Sequence, residues 1–107
     1  METLQTKGTF VLLKHTRQNE VHFDLILEGH EHCPTFQFST IDSPIGTRIQ
    51  DHRMKYLTFE GKISPEKGTV IIVQKGTFIY DDSTLTLQIK PIHRQYKLQN
   101  QNQLHRL

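Results

Sequence analysis

The sequence predicts an all-β protein, a small closed or partly open β-barrel of about seven to eight short antiparallel strands. The 107 residues include no alanine, the best helix former, but 26 β-branched residues (12 Thr, 10 Ile and 4 Val). Short apolar or alternating segments also follow one another at close spacing, and no helical period lies between them. Composition and patterning therefore indicate the same fold class.

Alternation of apolar and polar residues marks the predicted strands. In residues 21–28 the odd positions are apolar and the even positions, apart from Ile26, are polar, which gives one buried and one polar face. Turns are expected at 29–32 and at the breaker cluster 43–46, with a bend or bulge at 75–76 and a strand end at Pro91. The predicted strands are residues 9–14, 21–28, 35–39, 54–60, 69–74, 77–80, 84–90 and 95–98.

Length and composition limit the class of protein. The chain is predicted to form one domain over residues 1–107, with flexible tails at 1–7 and 99–107. A net charge of +2 does not by itself predict nucleic-acid binding. The single cysteine, Cys33, excludes an internal disulfide and a multi-cysteine zinc site, and we expect it to be buried and idle. With no membrane-length apolar stretch and no secretory signal, we expect a cytoplasmic protein.

His22 and Asp24 are the most informative pair, because residues i and i+2 of a strand project to the same side. An imidazole and a carboxylate at this spacing can chelate a divalent cation when a neighbouring strand supplies a third ligand. His15 ends the preceding predicted strand, and the loop at 16–20 would bring it alongside His22. His52 is another candidate. The same pattern also fits an ordinary solvated face, because His-x-Asp is short and common.

Short motifs follow one another in a distinctive order between residues 8 and 78. They are Lys14-His15, His22-Phe23-Asp24-Leu25-x-Leu27-Glu28, Asp51-His52-Arg53-Met54-Lys55-Tyr56, Phe59-Glu60-Gly61, Ile63, Pro65-Glu66, Gly68-Thr69-Val70 and Gly76-Thr77-Phe78. In this order they resemble the 3'-phosphoesterase domain of bacterial DNA ligase D. That family reads Lys-His, a short loop and His-Tyr-Asp-Leu-Arg-Leu-Glu, followed by Asp-His-Pro-x-x-Tyr.

The resemblance implies a compact β-barrel with a polar cavity and a manganese-dependent phosphoesterase that repairs 3' ends during end joining. The residues that match the family's metal ligands are His15, His22 and Asp24, and those that match its catalytic groups are His52, Tyr56 and Glu28. The implied partners are 3' ends of DNA or DNA–RNA strands, with a ligase or another end-joining protein acting in trans. No membrane partner is implied, and we expect a monomer.

The sequence departs from the family pattern at Ile26, where the family has an arginine that grips phosphate. Isoleucine has no donors for such a contact. The arginines that could replace it are Arg17, Arg48, Arg53 and Arg94.

Two alternative functions follow from the same residues. The missing arginine favours a catalytically weakened or inactive barrel that binds nucleic-acid ends or a protein partner without turnover. A more distant alternative is an iron oxygenase or cupin, whose facial triad would combine His22 and Asp24 with a distal histidine such as His52 or His93.

Overall fold

A computed structural model describes residues 1–89 and 93–107. Within these residues the strands are β1 (Lys7–Arg17), β2 (Glu20–Leu27), β3 (His32–Phe38), β4 (Ile45–Arg53), β5 (Gly61–Ser64), β6 (Gly68–Asp81), β7 (Thr84–Gln88), β8 (His93–Gln99) and β9 (Gln103–Arg106). A short 3₁₀ helix, Met54–Leu57, lies between β4 and β5. None of the described helices is long and apolar enough to cross a membrane.

Eight of the strands close an antiparallel barrel, which confirms the predicted fold class. The order around the ring is β1-β2-β3-β4-β9-β8-β7-β6, and β6 pairs back onto β1 to close it. The strand β5 pairs with the first residues of β6 outside the ring. The long strand β6 therefore belongs both to the barrel and to a layer on its outer surface.

The larger apolar cluster fills the inside of the barrel. Every strand of the ring except β4 contributes to it. The residues are Phe10, Leu12, Leu25, Leu27, Phe36, Phe38, Phe78, Leu85, Leu87, Tyr96, Leu98 and Leu104. On β4 the place of an apolar side chain is taken by Gly46, where an added Cβ would lie 2.3 Å from the ring of Phe38.

A second cluster lies on the outer face of β1 and β2, because side chains alternate between the two faces of a strand. Its buried members are Val11, Leu13, Ile26, Cys33 and Val70. Residues 54–64, which we call the covering segment, pack over this cluster with Tyr56, Leu57, Phe59 and Ile63. The predicted alternation of β2 is confirmed, and its even-numbered face is turned towards this outer layer.

The predicted strand over residues 54–60 is wrong. These residues form the 3₁₀ helix and an irregular turn, in which the backbone N–H groups of Thr58 and Phe59 both donate to the carbonyl of Lys55. Tyr56, Leu57 and Phe59 all face the outer cluster. A strand would turn adjacent residues to opposite sides, so it could not bury Tyr56 and Leu57 together.

The sequence did not predict the strands β4, β5 and β9. The two strands predicted at 69–74 and 77–80 form a single strand, β6. Ile45 and Gly46, expected in a breaker cluster, begin β4, and the preceding turn lies at 40–43. Residues 69–80 continue as one strand through 75–76, where a bend or bulge was expected. The shift in pairing register between β6 and β1 lies instead opposite Leu12 and Leu13. Lys90 and Pro91, where the next strand was expected to end, lie outside the described residues.

The predicted tail at 99–107 contains the barrel strand β9. It follows β8 through a tight turn in which Asn100 and Gln101 have φ values of 52° and 62°. Two consecutive positive φ values are typical of the turns that match the twist of a β-hairpin. Leu104 is fully buried in the barrel as a result.

Candidate functional site

A polar cavity of about 530 Å³ opens between the outer face of the barrel and the covering segment. The resemblance implied such a cavity, and it lies outside the apolar interior of the ring. Its walls come from β1, β2, β4, the 3₁₀ helix, β5, the turn before β6 and β6 itself. The lining residues are Leu13, His15, Arg17, Asp24, Gln50, Asp51, His52, Arg53, Lys55, Tyr56, Ile63, Lys67 and Val70.

The hairpin of β1 and β2 brings three of the predicted residues together. His15 pairs directly with His22, and Leu13 pairs with Asp24, so their side chains share the outer face. His15 Nδ1 lies 3.0 Å from His22 Nε2, and His22 Nε2 lies 3.3 Å from Asp24 Oδ1. One ligand atom from each of the three lies within 4.8 Å of the other two. This is the spacing at which one ion can contact all three.

Hydrogen bonds orient two of the histidines around Asp24. His15 Nε2 lies 2.6 Å from the carbonyl oxygen of Lys67, so this nitrogen carries the proton and Nδ1 presents its lone pair to the cluster. In the same way His52 Nδ1 donates to the carbonyl of Gln50 at 3.1 Å, which leaves Nε2 facing Asp24 Oδ2 at 3.8 Å. Metal-binding histidines commonly donate their second nitrogen to a carbonyl in this way.

Asp24 is a buried carboxylate with an unsatisfied oxygen. Its residue is only 2% exposed, and Oδ1 has no hydrogen-bond partner, because the nearby His22 nitrogen lacks hydrogen-bond geometry. Burial raises the pKa of Asp24, and the charges of His22, His52 and His15 offset only part of that effect. A bound cation would supply the missing partner, so the donor set fits a divalent ion with nitrogen and oxygen ligands.

Tyr56 joins the site from the 3₁₀ helix rather than from a strand. Its ring packs edge-on against His52, with the ring centroids 5.6 Å apart, and against Phe59 at 5.8 Å. Both His52 and Tyr56 line the cavity. The structure therefore brings five of the six predicted site residues to one place.

Glu28 is the sixth, and the structure does not bring it to the cavity. It follows Asp24 by four residues, about 13 Å along a strand. Its carboxylate accepts hydrogen bonds from the backbone N–H of Thr9 at 2.9 Å and from the Thr9 hydroxyl at 3.1 Å. In this arrangement Glu28 fastens the hairpin of β1 and β2 beyond the end of the cavity.

The arginine of the family pattern has no equivalent at Ile26, whose side chain is completely buried in the outer cluster. Arg17 and Arg53 line the cavity, whereas the other two candidates do not. Arg48 donates to the Glu2 carbonyl and to Asp51 Oδ1. Arg94 donates to the Ile41 carbonyl. Sequence reasoning missed Lys67, because pairing of the start of β6 with β1 brings it beside His15.

The N-terminal segment, expected to be a flexible tail, is bonded beside the site. The Glu2 carboxylate accepts hydrogen bonds from the backbone N–H groups of His30, Glu31 and His32 at 2.9, 2.7 and 2.8 Å. These bonds, that from His32 foremost, hold the pKa of Glu2 below its ordinary value. Burial would raise the pKa of Asp51, but the Glu2 N–H and the Arg48 guanidinium outweigh it and hold that pKa below its usual range.

The site combines a set of metal-type ligands, a histidine and a tyrosine on the facing wall, and positively charged groups at the opening. Such an arrangement can bind an anion next to a cation and move a proton at His52. No protein-family model matches the sequence, and the search of curated proteins found no match.

Proposed function

We propose that the protein is a manganese-dependent phosphoesterase that processes 3'-phosphate or ribonucleotide ends of nucleic acid in DNA repair. One observation carries the proposal. The cluster of His15, His22 and Asp24 borders a cavity that two of its members, His15 and Asp24, line. The exposed cations of the lining are Arg17, Arg53, Lys55 and Lys67, which we call the cationic rim. Metal ligands beside unpaired cations suit a phosphate ester better than a neutral substrate.

Each residue has a defined task in this proposal. His15, His22 and Asp24 hold the ion, and the tautomer of His15 is set by the Lys67 carbonyl. When bound, a divalent ion supplies Lewis acidity that polarises a phosphoryl oxygen and lowers the pKa of water. The resemblance to the ligase D domain supports manganese, and the nitrogen and oxygen ligands are compatible with it.

The facing wall supplies proton transfer and orientation. His52 keeps Nε2 towards the cavity because Nδ1 donates to the Gln50 carbonyl. In its imidazolium form His52 carries a second proton on Nε2, which it can give to a leaving oxygen. The Tyr56 hydroxyl donates to a phosphate oxygen. Arg17 and Arg53 bind the phosphate, a role that the family gives to an arginine at the position of Ile26.

A barrel that binds nucleic-acid ends without turnover is the second candidate, and the buried Ile26 favours it. In that case the rim would still bind the strand, but the chemical step would be weak or absent. The oxygenase alternative would combine His22 and Asp24 with the distal His52, whose Nε2 lies 3.8 Å from Asp24 Oδ2. The compact group of ligand atoms is instead completed by His15 on the adjacent strand.

Release of phosphate from a strand with a 3'-phosphate, and removal of a 3'-ribonucleotide, test the proposal. The protein is freed of metal with a chelator and assayed with and without manganese. We expect manganese-dependent release, and we expect His22→Ala to reduce it to background, because one of three ligands is lost. The matched control is His30→Ala, which alters an exposed histidine outside the cavity. Full activity in His22→Ala would contradict the proposed phosphoesterase site. Strand binding without phosphate release would support the second candidate.

A manganese titration followed by NMR of the histidine imidazoles locates the ion independently of activity. Paramagnetic broadening should affect His15 and His22 first, while His30, His32 and His105 stay sharp. Uniform broadening of all histidines at high metal concentration would remove the basis for a specific site.

A further inference from the structure

The cationic rim consists of four exposed positive charges without acidic partners. Among residues 1–89 and 93–107, none of Arg17, Arg53, Lys55 and Lys67 forms a salt bridge. Arg48 and Arg94, which do not line the cavity, behave differently, since Arg48 pairs with Asp51 and Arg94 lies 3.9 Å from Asp42. The cations around the cavity are therefore available to a ligand.

The carboxylates of the cavity do not neutralise this rim. Two acidic residues line it, Asp24 and Asp51. Asp24 is surrounded by histidines. Asp51 already accepts hydrogen bonds from the Glu2 N–H at 2.7 Å and from Arg48 at 2.9 Å. Neither carboxylate forms a salt bridge with a rim cation, because Asp24 is buried among the histidines and Asp51 is paired with Arg48. The four cations thus keep their charge at the opening, which favours an anionic ligand.

The rim cations lie in two pairs on two walls. Arg17 and Lys67 are neighbours on one wall, because Gly68 approaches the backbone of Thr16 and Arg17 so closely that a Cβ there would lie 2.0 Å from the Thr16 carbonyl oxygen. Arg53 and Lys55 lie on the other wall, and Lys55 Nζ is 5.1 Å from the centre of the Tyr56 ring. Each pair flanks one histidine of the site, His15 or His52.

The size of the cavity indicates more than one phosphate. A volume of about 530 Å³ lies within the range that holds a whole drug-sized ligand. Two cationic pairs in one cavity of this size match an anion with at least two charged groups.

We infer that the rim binds two phosphates of one single-stranded nucleic-acid end, one at each pair, and that it does so without metal. The identity of the strand rests on the proposed function, but the binding does not depend on the ion or on hydrolysis. The rim then positions the 3' end over the metal cluster before any reaction.

Binding of a fluorescent single strand of about 12 nucleotides with a 3'-phosphate tests the inference, measured by anisotropy in a chelator between about 50 and 200 mM salt. Two phosphate contacts predict a slope of roughly −1.4 for the logarithm of the binding constant against that of salt. Arg17→Ala with Arg53→Ala should weaken binding about tenfold or more and make the slope shallower, because only one cation remains at each pair. The matched control, Lys7→Ala with Arg106→Ala, removes the same charge from exposed positions outside the cavity and should bind like the unaltered protein.

The outcomes separate this inference from the proposed function. Binding that depends on the rim, without hydrolysis, would refute the proposed phosphoesterase activity and support the inference that the rim binds the strand. Equal losses in the rim variant and its control, or binding unaffected by either, would overturn the inference whatever the hydrolysis assay shows. His22→Ala should bind the strand normally in chelator, and loss of binding there would contradict metal independence. Inorganic phosphate that displaces the strand as well as an unlabelled strand does would contradict the second phosphate contact.

Discussion

The Asp24 carboxylate lowers the stability of the fold but is needed for the proposed metal binding. A carboxylate with an unsatisfied oxygen at 2% exposure loses its hydration on folding, and the neighbouring histidines return only part of that free energy. An apolar or amide side chain in the same place would cost less. The carboxylate is nevertheless the only anionic ligand in the cluster with His15 and His22.

We therefore expect Asp24→Asn to raise the free energy of unfolding of the metal-free protein by about 1–2 kcal/mol, because an amide costs less to bury than a partly compensated charge. The same substitution should abolish manganese binding. Urea denaturation in chelator and a manganese titration measure the two effects. Asp42→Asn, at a carboxylate that is 83% exposed, is the control and should change neither. A less stable Asp24→Asn protein would contradict the account.

The metal cluster is the part of the site that the sequence predicts best. His22 and Asp24 are two residues apart on a strand with clear alternation, and a hairpin with a two-residue loop places His15 opposite His22. Strand periodicity is enough to place His22 beside Asp24. The loop expected at 16–20 is shorter in the structure, where Thr16 and Arg17 still pair with β2, and that register puts His15 opposite His22. Lys67 could not be predicted, because it reaches the cavity through the distant pairing of β6 with β1 and no local pattern marks it.

At the scale of elements, the segment before β1 links β3 to β4 through hydrogen bonds of Glu2. Glu2 binds the backbone at the start of β3 through its carboxylate, while its carbonyl accepts from Arg48 on β4 at 2.6 Å. Its backbone N–H donates to Asp51, next to His52. The contacts depend on a charged carboxylate, so they depend on pH.

Glu2→Gln is expected to lower the melting temperature at about pH 7, by an amount that shrinks as the pH falls below 4.5. The pKa of Glu2 in the folded protein lies below its ordinary value of 4.5. The charged form therefore stabilises the fold above that value, and this stabilisation is lost as the pH falls through the folded-state pKa. Thermal unfolding of both proteins across this range measures it. A difference that persists unchanged at the acidic end would contradict the role of the charge.

Elements with regular alternation were predicted, and elements defined by distant contacts were not. The strands β2 and β7 show their faces in the local sequence, as does the pair Phe36 and Phe38. The strand β1 was predicted from a continuous apolar run, which does not show which residues face the interior. Gly46 reads as a breaker, and only the ring of Phe38 against it explains a glycine inside a strand. The Gln/Asn-rich segment at 99–103 reads as a tail, yet it supplies the turn into β9.

On the scale of the whole molecule, β9 closes the barrel. It pairs with β4 on one side and with β8 on the other, and it buries Leu104 completely. Without β9, β4 and β8 would each lose one of their two neighbouring strands, and the interior would be exposed along that side. A ring of strands has no free edge only while every member is present.

Removal of residues 103–107 is therefore expected to abolish cooperative folding, which thermal unfolding by circular dichroism would show. The graded test is Leu104→Ala, which should cost about 2–5 kcal/mol as a large-to-small change in a packed interior. Arg106→Ala, at an exposed position of the same strand, should cost little. Native-like melting of the shortened chain would mean that β4 and β8 can close the ring by themselves.

The division of the molecule into a closed barrel and an outer layer has one more consequence. The groups proposed for binding and chemistry project from the outside of the ring or from residues 54–67, while the larger apolar cluster lies inside it. Replacement of an exposed cavity residue therefore leaves the packing of the barrel interior unchanged. The covering segment and the rim can be exchanged, lengthened or grafted to engineer a new specificity on this barrel, provided that Val11, Leu13 and Ile26 remain shielded from water.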